Sequence, residues 1–159
     1  MSDKHHLLFP DAALDRGLIA DSRDGVFEEM GDLLIVSGQI KADQRPFLLR
    51  ALRKREMLAS TGIGNGVAIP HVRSSIIPPG GVAAALGVSE KGVSWGALDG
   101  RDVHIVFLIV RSDGGESDDH LDFLRWVAGL ARDDDFRNFM REAKTKKAMK
   151  SLLKEMSAV

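Results

Sequence analysis

Val103-His104-Ile105-Val106-Phe107-Leu108-Ile109-Val110 is the stretch on which the fold turns. Every residue in it except His104 is apolar. In an extended strand successive side chains point to opposite faces, so this one needs cover on both sides. Val82 to Val88, preceded by the turn Gly80-Gly81, reads as a second strand. Val67-Ala68-Ile69 reads as a short third, closed by Pro70. Between helices and strands lies Thr61-Gly62-Ile63-Gly64-Asn65-Gly66, three glycines in six residues, which reads as too flexible for the interior of either.

Helices flank these strands in the sequence. Residues 24–37 carry Val26, Phe27, Met30, Leu33 and Leu34 at the spacing of one helical face, with Ser22 placed to cap and Gly38 to terminate. A second helix is expected after Asp43, with Pro46 in its first turn and Phe47, Leu48, Ala51 and Leu52 buried. Three more close the chain. The first is capped by Asp118 or Asp119 and buries Leu121, Leu124, Val127, Ala128 and Ala131. Phe136, Phe139, Met140 and Ala143 mark the next, and Ala148, Met149, Leu152, Leu153 and Met156 the last. Two helices, then strands, then three helices, around a strand needing double cover, make an α/β layered domain. Periodicity leaves strand order and direction open.

Composition narrows the function. The chain has 159 residues, a length for one domain, and 22 Lys and Arg against 23 Asp and Glu give a net charge of -1. That balance argues against a nucleic-acid binder, which needs a basic face. With zero cysteines there is no disulfide framework, thiol nucleophile or Cys-ligated metal. No apolar run approaches the roughly 20 residues of a bilayer helix, and the first residues lack a signal-peptide core, so a cytoplasmic protein without membrane insertion is expected.

Arg55 to Arg73, R-E-M-L-A-S-T-G-I-G-N-G-V-A-I-P-H-V-R, is where chemistry concentrates. Successive glycines let backbone N–H groups converge on an anion, imidazole is a nucleophile near neutral pH, and guanidinium groups stand close in sequence. The combination suits a phosphoryl group. Nucleotide loops do not fit: no lysine follows the glycines as a P-loop requires, and G-x-G-x-x-G fails at Val67.

Ser60 to His71, S-T-G-I-G-N-G-V-A-I-P-H, resembles residue for residue the hallmark of the enzyme IIA components of the bacterial phosphoenolpyruvate-dependent sugar phosphotransferase system, of the fructose–mannitol and nitrogen-regulatory type. Ser22 through Gly38 is similar to the family's first helix. Leu98-Asp99-Gly100 with the Val103 strand, and His120-Leu121 with Phe123-Leu124, are similar to later elements. The resemblance implies one domain over residues 1–159, with residues 1–7 mobile: α/β, with a mixed β-sheet covered by helices on both faces. It implies that His71 is the phosphoacceptor, with Arg55 and His120 beside it and Arg73 at a usually basic position. Gly64, Asn65 and Gly66 would support the phosphate through their backbone. The chain departs from the family pattern at Ala59 and Val72, where glycine and a smaller residue are common, and at Arg111-Ser112, where the strand commonly runs into proline.

On that resemblance, an HPr-type phosphocarrier donates to His71, and a IIB component receives the group. Alternatively, phosphorylation signals to a regulated transporter or kinase and acts as a switch, not a relay step. His120, in a first helical turn, is expected to be neutral and to donate to the phosphoryl group. No cofactor or metal is expected, because the leaving group is an imidazole and no ligand spacing is present. His104 reads as a strand histidine with one hydrogen bond, Trp95 and Trp126 as core, and His5 and His6 as part of the mobile terminus.

Overall fold

A computed structural model describes residues 2–114 and 118–157. The strands are β1 (Leu14–Asp15), β2 (Gly62–Gly64), β3 (Val67–Ala68), β4 (His71–Ser74), β5 (Val82–Val93) and β6 (Val103–Ser112). The helices are α1 (Arg23–Val36), α2 (Arg45–Leu58), α3 (Asp118–Arg132), α4 (Asp134–Glu142) and α5 (Lys146–Ser157). The doubly apolar strand β6 lies at the centre of a mixed sheet. One edge pairs antiparallel with β5 over most of its length. The other edge pairs parallel with β3 first and β4 afterwards. Pro70 separates those two strands because it has no N–H to give to the ladder, while its carbonyl still accepts from Ile109 N at 3.0 Å.

Alternation along β6 divides the core. Val106, Leu108 and Val110 face α1 and α2, together with Val72 and Ala68. Ile105, Phe107 and Ile109 face α3, α4 and α5. Helices therefore cover both faces, as the pattern of β6 demands. Ser22 Oγ accepts from Gly25 N at 3.0 Å and caps α1, and Gly38 follows the helix at φ 76°.

Several packing expectations shift by a residue. In α2 the buried side chains are Leu48, Leu49, Leu52 and Glu56, whereas Phe47 is 56% exposed and lies under the Arg50 guanidinium. In α3 Phe123, Val127, Leu130 and Ala131 are buried and Leu121 is 41% exposed. Asp118 and Asp119, expected as its cap, belong to its first turn, and their side chains lie outside the described residues.

The amino-terminal segment is a larger correction. A 3-10 helix over Ser2–Leu8 packs on the α3–α5 layer instead of standing free. The His5 ring lies 5.9 Å from Phe123 and 5.4 Å from Trp126, and His6 N donates to Ser157 Oγ at 3.2 Å. Lys150 Nζ donates to the carbonyls of His6 and Phe9. Phe9, fully buried between Phe107 and Phe123, anchors the segment.

Phe107 is fully buried on the central strand and stacks on Phe136. Phe107→Ala is expected to lower unfolding free energy by about 3–5 kcal/mol. Urea titration should show the midpoint falling with an unchanged slope.

Candidate phosphoryl-transfer site

The last turn of α2 begins the site. Glu56 is buried there and accepts from Thr61 N at 2.8 Å and from Thr61 Oγ1 at 2.6 Å. Thr61 Oγ1 in turn accepts from Trp95 Nε1 at 3.1 Å. This clamp ties the end of α2 to the start of β2. One residue earlier, Arg55 Nη1 donates to Ala59 O at 2.8 Å, which holds that guanidinium at the same junction.

β2 turns back into β3 through Asn65-Gly66, with φ of 58° and 78°. Positive φ at both central residues is the two-residue hairpin turn that Asn-Gly favours. The glycine-rich stretch is thus a hairpin with Gly62–Gly64 in a strand, contrary to its reading as non-strand. Gly62 is glycine for lack of room: a Cβ there would lie 2.9 Å from the Ala97 Cα.

This geometry corrects the expected role of Gly64, Asn65 and Gly66. Asn65 N already donates to an anion, the Asp99 carboxylate, at 2.8 Å, and Gly66 O accepts from His104 N and Ile105 N. Their turn lies at the start of β6, whereas His71 pairs with Ile109 near its end. Five residues of extended chain, about 16 Å at 3.3 Å each, separate Gly66 from His71. Glycine density signalled a loop that could hold an anion, and it does, but the anion is the protein's own. The other end of the hairpin approaches the site, since Ile69 N donates to Thr61 O at 2.9 Å. The dipeptide Asn65-Gly66 was the available signal for this arrangement.

His71 opens β4 with its side chain on the α3–α5 side of the sheet, as Val72 faces the opposite core. The departure at Val72 is therefore a packing residue and not a wall of the site. Arg73 shares the face of His71 and is exposed. Arg111, opposite Arg73 in register, shares it too and is buried. His120 stands in the first turn of α3, which follows the carboxyl end of β6 and covers this same face.

The imidazole of His71 is half-buried, and its Nε2 is buried with no hydrogen-bond partner among the described residues. Burial, and then the positive charges of Arg111, Arg73 and Arg55, push its pKa from 6.5 down to about 4. Among the described residues, none of these three arginines makes an ion pair. The site is a neutral base beside three cations, an arrangement ready for an anion. Arg111 is the residue that sequence reading missed. Its signal was a charge in phase with Ile109 at the end of an otherwise apolar covered strand.

Other readings hold. His104 donates from Nδ1 to Ser89 O at 2.9 Å, and Trp95 is 1% exposed with its ring edge-on to Phe27. Trp126 donates to Met156 O at 3.3 Å and packs beside Phe123. Among the described residues no helix is long and apolar enough to cross a membrane.

His71 should titrate near pH 4 by heteronuclear NMR. As pH falls from 6.5 through 4, the unfolded chain takes up a proton that folded His71 refuses. Stability from this group is therefore complete above that window and is lost on acidification. A His71→Gln variant should show a shallower loss of denaturant midpoint over the same range.

A family model described as "Phosphoenolpyruvate-dependent sugar phosphotransferase system, EIIA 2" matches residues 8–156. The chain is 34% identical over 134 residues to a fructose-specific EIIABC component of Bacillus subtilis, covering 84% of this chain but only 20% of that protein's length. It is 33% identical over 129 residues to a nitrogen regulatory protein of Pseudomonas aeruginosa, with 80% of each covered. Among solved structures, the nitrogen regulatory protein IIA-Ntr of Neisseria meningitidis superposes with a TM-score of 0.81 at 24% identity, covering 93% of this chain and 97% of that one. The mannitol IIA of Escherichia coli, solved in complex with phosphorylated IIB, gives 0.70 at 15% identity, covering 89% and 94%. These two share the fold. With nearly the whole chain matched, and with the motif that ends on His71 in place, the protein belongs to the type-2 EIIA family of the phosphoenolpyruvate-dependent sugar phosphotransferase system.

Proposed function

We propose that His71 accepts a phosphoryl group from the phosphohistidine of an HPr-type carrier in the cytoplasm and passes it to a IIB-type component. The observation that carries this reading is the neutral imidazole of His71 set among Arg55, Arg73 and Arg111. At pH 7 its lone pair is available, so no general base need first remove a proton from an imidazolium.

In the forward step Nε2 of His71 attacks phosphorus in line with the carrier's P–N bond. That bond breaks as the new one forms. The proton on Nδ1 of His71 is released, and the carrier's ring regains one on the nitrogen that gave up the group. The transition state is loose, with charge on three equatorial oxygens, so placed cations do most of the work. Arg55 and Arg73 offer that charge paired N–H donors in a planar fork. His120 donates to the same oxygens from the first turn of α3, where the helix dipole also favours negative charge. No cofactor takes part, since the group moves between two ring nitrogens. Nε2 is buried, so docking must turn the ring or shift its cover before attack.

The similarity to a nitrogen regulatory protein supports a second reading, in which phosphorylated His71 governs binding to a regulated transporter or kinase. Adding about -1.5 to -2 charges to this basic site would change any contact made there. Transfer of label to a purified IIB domain distinguishes the relay from the switch.

Incubated with enzyme I, carrier and phosphoenolpyruvate, the protein should gain one acid-labile phosphoryl group by intact mass, and His71→Ala none. An adduct surviving that substitution would refute the assignment. His120→Ala should still be labelled but transfer onward about 100-fold more slowly. Equal onward rates would remove His120 from the site.

A further inference from the structure

Arg111 has a position that its packing does not explain. It lies two residues beyond Ile109 on β6, about 7 Å along the strand, and so on the same face as His71. Its neighbour across one edge is Arg73 and across the other Val82. Two guanidinium groups directly opposite on adjacent strands repel. Arg111 is only 8% exposed, so water screens that repulsion poorly. Its Nε is buried without a hydrogen-bond partner, and among the described residues no carboxylate pairs with it. A guanidinium cannot lose its charge in a protein, so an Nε–H cut off from water and from any acceptor is unfavourable until an anion comes.

We infer that Arg111 is a phosphoryl-binding residue: its side chain donates to the phosphoryl oxygens once His71 carries them. The inference rests on the reading of His71 as phosphoacceptor and adds a third cation to it. One doubly charged group between β4 and β6 would give Arg73 and Arg111 a shared counter-ion and turn their repulsion into a clamp. Arg111 is also the strongest of the three cations acting on the His71 ring.

The test labels full-length wild type, Arg111→Gln and Arg111→Lys with phosphoramidate, a small donor that bypasses any carrier. Each phosphorylated protein is then followed by phosphorus NMR across pH and equilibrated with the histidine carrier. Loss of one charge-assisted hydrogen bond predicts that Arg111→Gln shifts the equilibrium toward the carrier by about 10- to 100-fold. Its phosphoryl group should also ionise at higher pH than in wild type, with Arg111→Lys intermediate. In wild type alone, the Arg111 Nε–H resonance should move downfield on phosphorylation and exchange more slowly with water. That measurement holds even if a variant folds poorly.

An unmoved Nε–H, together with equal phosphorus titrations in wild type and Arg111→Gln, overturns the inference and leaves His71 as acceptor. Absence of any adduct on wild-type His71 overturns the acceptor reading itself. A weaker carrier KM in Arg111→Gln with an unchanged phosphorus titration also overturns the inference, because Arg111 would then bind an acidic group of the partner.

Discussion

The parallel pairing of β4 with the last four residues of β6 is the constraint from which the site follows. It sets His71 against Ile109 and Arg73 against Arg111, all on one face, at the end of the strand that both cores enclose. β6 cannot slide, because a one-residue slip would exchange its two apolar sets and bring Arg111 into the α1–α2 core. Register therefore carries positional order from the packing of Phe107 and Val106 to the ring of His71. Pro70 contributes by interrupting the ladder just before His71, so that the hairpin partner β2 ends before the site begins.

Charge is distributed with the same economy. Two acids near the motif are already engaged: Glu56 holds Thr61 and lies 3.9 Å from Arg23, and Asp99 holds the Asn65 turn. Neither neutralises the arginines around His71. A carboxylate there would raise the pKa of the imidazole and repel an incoming phosphoryl group at once. The same omission thus keeps the base neutral and the anion welcome. Among the described residues these cations lack a paired carboxylate, and two hydrophobic cores sharing one central strand offset that cost.

Much of this was legible in the sequence. The doubly apolar Val103 strand implied two covered faces, Ser22 and Gly38 bounded α1, and the Ser60–His71 motif pointed to His71 and Arg55. What was hidden has physical reasons. β4 is four residues long with Val72 its one apolar residue, too short for period-two alternation to stand out after a proline. Phe47 is apolar yet sits at the exposed beginning of α2, where a polar neighbour, Arg50, covers its ring, so counting apolar residues turned the helix by one position. The amino-terminal turn has no helical period, and its two histidines look polar. Only their packing on Phe123, Trp126 and Ser157 reveals them as interior. Glycine spacing carries no sense of direction until Asn65-Gly66 is taken as a hairpin turn. The expected phosphate cradle was therefore placed at the wrong end of β3.

Arg111 bears on the choice between relay and switch. A cation that binds the phosphorylated ground state and the transition state equally lowers both and leaves the barrier to onward transfer unchanged, whereas one that binds the ground state better raises that barrier. Arg55 is held at the end of α2 by its hydrogen bond to Ala59 O, whereas Arg73 stands exposed on the edge strand. Arg111 is enclosed on the central strand, and on the inference drawn above its donors would meet the phosphoryl group in its resting place on His71. Fixed charge of that kind favours holding the phosphoryl group over releasing it.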